Sequence, residues 1–136
     1  MKKLLAMCLF ALLSTNSMAF TDPKVGGMVT LKKGLESKIV KGGVLYVYAR
    51  RVGEPEGIRT PPVAVFRYAN PRFPQAFVLT QKDVLIAGNE FQGPFVVSAK
   101  YAPNGDASSS ENILTGTDAK FPSVELGNKK LNIELQ

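Results

Sequence analysis

"VLYVYARR", residues 44–51, decides how the rest of the chain is read. Side chains alternate between the two sides of an extended strand, so Leu45, Val47 and Ala49 fall on one side and Tyr46, Tyr48 and Arg50 on the other. The first set is core material; the second brings aromatic rings and charge to a surface. A period of two over β-branched and aromatic residues marks a half-buried strand. "PFVVSAKY" (94–101) repeats the pattern, with Phe95, Val97, Ala99 and Tyr101 on one side and Val96, Ser98 and Lys100 on the other.

Outward from these two stretches the same period recurs. "VGGMVTL" (25–31) reads as a first strand whose glycines suggest a bulge or a close backbone approach. "KKGLESKIVKGG" holds at most a helical turn and stops at Gly42-Gly43. Beyond the Pro- and Gly-rich loop "VGEPEGIRTPP", Val63–Tyr68 and Ala76–Thr80 read as further strands, and Pro71 and Pro74 make the link between them irregular. In "QKDVLIAGNEFQG" the apolar Val84, Leu85 and Ile86 are expected to plug one end of the core. "APNGDASSSEN" is the most polar loop, with Asn104-Gly105 suited to a tight turn. "SVEL" and "KLNIEL", joined by "GNK", are expected to form a C-terminal hairpin.

About seven short strands separated by turn residues, with no long helical period, predict an all-β fold. An antiparallel β-sandwich, immunoglobulin-like or cupredoxin-like, fits best. The chain contains no Trp, so the Cys and Trp signature of antibody domains is absent. No internal repeat or linker divides it.

"MKKLLAMCLFALLSTNSMAF" has the layout of a secretion signal: Lys2 and Lys3, an apolar run from Leu4 to Leu13, then Ser17 and Ala19 at the cleavage positions. The run is shorter than the ~20 apolar residues of a membrane span. Residues 1–19 are therefore expected to be removed as a signal peptide, leaving 20–136 as a single domain exported to the periplasm. Cys8 is the one cysteine of the chain and leaves with the signal, so the mature protein is expected to have no disulfide and no thiol chemistry. Its early place in the apolar run does not suit lipid attachment.

Of 17 basic residues two lie in the signal, and the fifteen that remain against 11 acids give a net charge of +4. The lysines are scattered, whereas Arg50, Arg51, Arg59, Arg67 and Arg72 fall within one quarter of the chain. Nucleic-acid binders concentrate charge on one element, and export separates this chain from nucleic acid. An acidic peptide or, peripherally, an anionic membrane surface is the partner that such a charge admits.

The residues that most enzymes need are missing. With no histidine, imidazole-based triads, the usual zinc sites and cupredoxin copper sites are all removed. After cleavage Met28 is the one methionine left. Carboxylate pairs that could hydrolyse a glycosidic bond, Glu54 with Glu56 or Glu90 with Asp83, sit in turn-like contexts. Asp106 and Glu111 are spaced too widely for a loop calcium site. No catalytic residue, metal or cofactor is expected; the chain reads as a binding module.

The run "GMVTLKKGLESKIVKGGVLYVYAR", then "PPVAVFR", "FVLTQKD", "GPFVVSAKYAPNGDA" and "ILTGTDAKFPSVELGNKKLNIEL", resembles the C-terminal immunoglobulin-like domain of the cytochrome c-type biogenesis protein H family, also called cytochrome c maturation protein I. The matching features are Tyr46 to Arg50, Pro62 to Arg67, the turn at Gly105-Asp106 and the C-terminal strands. Family members add a membrane anchor and tetratricopeptide repeats that grip the C-terminal helix of apocytochrome c. The resemblance here extends from Gly27 through the β-domain only. It implies a periplasmic docking role toward apocytochrome c or haem-ligation components. The alternative is an envelope-associated structural β-sandwich with an unrelated protein partner. For either, Tyr46, Tyr48, Arg50, Arg67 and Tyr68 are the candidate protein-binding residues, although Arg67 and Tyr68 fall on opposite sides of their strand. An extended peptide could add to a sheet edge or cover an aromatic and arginine patch.

Overall fold

The computed structural model describes residues 24–53 and 61–136. The expected signal peptide and the Glu54 and Glu56 pair, with Arg59, lie outside the described residues. Seven strands are present: β1 (Val25–Leu31), β2 (Val44–Arg51), β3 (Ala64–Ala69), β4 (Gln75–Leu79), β5 (Phe95–Ala102), β6 (Leu114–Thr117) and β7 (Leu131–Leu135). They form two sheets, β4-β1-β7 and β3-β2-β5-β6, packed face to face as a β-sandwich. Two single turns of 3-10 helix, Glu36–Lys38 and Gln81–Asp83, are the helical content among the described residues.

The alternation read from the sequence sets the inner faces. Leu45, Val47 and Ala49 of β2 and Phe95, Val97, Ala99 and Tyr101 of β5 are buried. They meet Val25 and Val29 of β1, Phe77 and Leu79 of β4, and Leu131, Ile133 and Leu135 of β7 in one core. Burying each of the larger side chains contributes roughly 1.5–3 kcal/mol. The buried Tyr101 hydroxyl is satisfied, accepting from the Val40 amide (2.9 Å) and donating to the Val40 carbonyl (3.2 Å).

All strand pairs but one are antiparallel; β1 and β7 run parallel. Gly27 permits that pair, because a Cβ there would run into the Leu131 backbone. This corrects the expected C-terminal hairpin. "SVEL" supplies no strand; its Val124 bridges Phe95, with backbone hydrogen bonds of 2.7 and 2.8 Å in the two directions. β7 lacks a sequence-adjacent partner and pairs with the first strand instead. The strand not read from the sequence is β6, which is too short, at four residues, to show a period of two.

A second correction concerns Val84, Leu85 and Ile86. Val84 packs against the core, but Leu85 and Ile86 are 53% and 56% exposed. The segment is pulled alongside β3 by its backbone, through the Ala64 and Val84 bridge and the Leu85 amide donating to the Val63 carbonyl (3.1 Å). The end of the core is covered instead by Phe91, which stacks on Phe95 at 4.7 Å between ring centroids.

The sandwich has two seams where its sheets meet. At the β6/β7 seam the amides of Thr115 and Gln136 donate to each other's carbonyls (3.3 and 3.0 Å). Gly116 lets the strands close, since a Cβ there would strike the Glu134 carbonyl. Asp118, 8% exposed, ties the end of β6 to β7 by accepting from the amides of Lys120 (2.9 Å) and Asn132 (2.8 Å).

Candidate functional site

The outer face of the four-stranded sheet gathers most of the residues singled out in the sequence. In the β2/β3 register Tyr46 lies opposite Arg67 and Tyr48 opposite Val65. On the other side Tyr46 lies opposite Lys100, Tyr48 opposite Ser98 and Arg50 opposite Val96. Thr115 and Thr117 of β6 extend the row past Lys100 and Ser98. Because strand neighbours on one face sit within side-chain reach, these residues form one continuous surface.

Tyr46 and Tyr48 are half-buried there, outside the core. The Tyr46 hydroxyl donates to the Gly105 carbonyl (2.7 Å), and the Lys100 ammonium donates to the Ala107 carbonyl. Both bonds fold the Asn104–Ser110 loop over one end of the face. Asp106 anchors that loop by accepting from the amide (2.9 Å) and hydroxyl (2.7 Å) of Ser108. Those two bonds hold its carboxyl below the usual aspartate range. Both bonds fall on Oδ1 and tie the carboxylate to its own turn.

Tyr48 remains as the ridge of the surface. The Arg50 guanidinium lies over its ring, 5.4 Å from the centroid, within cation–π range. On one side of Tyr48 a depression of about 270 Å³ is lined by Tyr46, Arg50, Val65 and Lys100. On its other side a depression of about 520 Å³ is lined by Ser98, Thr115, Thr117 and Gln136. The charged residues at the outward strand positions are Arg50, Arg67 and Lys100, all cationic.

Tyr68 does not join this face. It points to the inner side at the β3/β4 seam, packed on the core beside Phe66, with ring centroids 4.2 Å apart. Burial pushes its phenol above the ordinary value, opposed by a hydrogen bond with the Val78 backbone and reinforced slightly by the Asp83 carboxylate. Lys100, not among the candidates named from the sequence, belongs to the face as well. Its place in "PFVVSAKY" was visible as a wet position, but the pairing of β5 with β2 that sets it beside Tyr46 was not.

Of the carboxylates weighed for glycosidic hydrolysis, Asp83 and Glu90 are among the described residues. Asp83 closes the turn after β4 by accepting from the Thr80 amide (2.8 Å), while Glu90 is exposed. Among the described residues no group of three or more His, Cys, Asp or Glu side chains could hold a metal ion, and no helix is long and apolar enough to cross a membrane.

No protein-family model matches the chain, and no curated protein matches it. Among solved structures it is similar to an alternative pilotin from the type II secretion system of Vibrio cholerae, with 13% sequence identity. That similarity covers 83% of this chain and 96% of the pilotin, at a TM-score of 0.48.

Proposed function

We propose that the protein is a non-catalytic, periplasmic docking module that holds a polypeptide against the outer face of its four-stranded sheet. The observation that carries this reading is Tyr48 standing between two depressions on a surface whose outward charges, Arg50, Arg67 and Lys100, share one sign. Tyrosine and arginine are the residues that most often dominate binding energy at protein interfaces. A rigid ring flanked by cations offers apolar contact with little entropy cost and selects against cationic partners. Sequence resemblance to the cytochrome c maturation β-domain makes apocytochrome c the first partner to try.

The test is calorimetric titration of the mature protein, from Phe20 onward, with reduced apocytochrome c and separately with the haem-bearing form. The reading expects saturable binding to the apo form alone. Tyr48→Ala and Arg50→Ala should each weaken it by roughly tenfold, as hot-spot truncations do. Absence of binding to either form leaves a structural envelope role for the domain. Two variants that lose stability while keeping affinity would return Tyr48 and Arg50 to a packing role.

A further inference from the structure

The four outer strands of the two sheets, β3, β4, β6 and β7, do not leave four equivalent edges. β6 and β7 close on each other at the seam already described. At β4, the hydrogen-bond phase follows from Gly26, whose amide is directed to Asn128 on the β7 side. By ladder alternation Ala76 and Val78 then turn their backbone groups outward. One group of each is met by a side chain: the Gln75 amide group donates to the Ala76 carbonyl (2.9 Å), and the Tyr68 phenol bonds the Val78 backbone.

β3 differs. The Asn70 amide donates to the Gly43 carbonyl (3.0 Å), which sets Asn70, Tyr68 and Phe66 as the residues that bond β2. Val65, Arg67 and Ala69 therefore direct their amides and carbonyls away from the sheet. The Val84–Leu85 segment covers the start of the strand at Val63 and Ala64 and stops there. Among the described residues nothing pairs with the backbone of Arg67, whose side chain is exposed on the outer face. On the inner side of the same edge the Phe66 and Tyr68 rings pack on the core and are half-buried, leaving part of each apolar surface accessible among the described residues.

We infer that the edge of β3, unpaired at Arg67 among the described residues, is a strand-addition site for an extended segment of a partner protein in which acidic and apolar residues alternate. The inference rests on the docking reading and specifies how the partner is held. A strand laid beside β3 receives backbone hydrogen bonds at Arg67 and places its side chains alternately on the two faces. Those on the outer face meet Arg67, beside Tyr46, and favour carboxylates. Those on the inner face meet Phe66 and Tyr68 and favour apolar groups. A second copy of this chain does not fit, because two-fold pairing through the outward groups of Arg67 sets the two guanidinium groups opposite each other. An exposed cation on an edge strand guards against indiscriminate pairing; here it turns away cationic and identical strands and admits an acidic one.

The test uses the mature protein and a blocked synthetic peptide alternating valine and glutamate, with affinity read by fluorescence anisotropy. A second peptide has the same sequence, with the amides on one side of its strand N-methylated. Arg67→Ala removes the charge and keeps the amide; Arg67→Pro removes both. Proline suits this position because the lost amide points off the sheet. Expected are saturable binding of the first peptide, a several-fold loss with Arg67→Ala, a further loss of roughly tenfold with Arg67→Pro, and failure of the methylated peptide. If both peptides bind alike and the two variants are equivalent, strand addition is overturned while docking on the face stands. No binding of the first peptide overturns the acidic, alternating occupant, and apocytochrome titration then judges the docking reading by itself. Should Arg67→Pro fail to fold, the comparison of the two peptides decides.

Discussion

Between β6 and β7 the sandwich is stitched by backbone; between β3 and β4 it is spanned by side chains. At the first seam Thr115 and Gln136 exchange hydrogen bonds, Gly116 removes the side chain that would hold the strands apart, and Asp118 fastens the loop beyond. At the second, the Tyr68 phenol reaches the Val78 backbone, and Phe66 lies half-covered beside it. A backbone closure consumes the donors and acceptors that another strand would need, whereas a side-chain closure leaves those of one strand untouched. The two seams thus differ in what holds them: backbone hydrogen bonds at one, side chains at the other.

Three substitutions sharpen or break this contrast. Gly116→Val places branched carbon against the Glu134 carbonyl and should destabilise the fold by about 3 kcal/mol through overpacking, measured as a fall in the urea midpoint. A midpoint unchanged from the parent protein would mean that β6 and β7 are not held in contact. Asp118→Ala leaves the amides of Lys120 and Asn132 without their acceptor, a loss of about 2 kcal/mol. Faster hydrogen exchange at Asn132 is the local sign to look for. Tyr68→Phe keeps the ring and loses one hydrogen bond at the open seam, so about 1 kcal/mol or less is expected. A loss as large as that of Asp118→Ala would show the β3/β4 seam to be as firmly closed as the other, and would weaken the case for strand addition beside it.

Much of the strand layout was legible because it depends on neighbours one and two residues away. The period of two in 44–51 and 94–101 identified the buried and wet sides of β2 and β5 without reference to any partner. It failed where that local signal is absent or misleading. β6 is four residues long and carries Gly116 at its middle. Leu85 and Ile86 are apolar, yet backbone pairing to β3 draws their segment to the surface. The C-terminal run had the pattern of a strand, but the pattern says nothing about its partner.

The candidate site divides in the same way. Tyr46, Tyr48 and Arg50 were grouped by alternation alone, and the β2/β3 register adds Arg67 to their face. Tyr68 was separable from Arg67 by the same rule, since adjacent strand residues point oppositely. Lys100, Ser98 and Thr115 could be found only after β5 was known to lie beside β2 and β6 beside β5. No spacing in the chain encodes that order.

What the amino-acid sequence by itself determined is which residues each long strand turns inward, because side-chain alternation and turn chemistry act over a few residues. Tertiary structure decided the strand order, the parallel pairing of the first strand with the last, and which edge backbone is left unpaired among the described residues. Those outcomes depend on contacts between segments more than a hundred residues apart, as where Thr30 meets Ile133 at a separation of 103. They are selected by the packing of whole faces and by where each backbone donor finds an acceptor, and no short stretch of sequence carries that information.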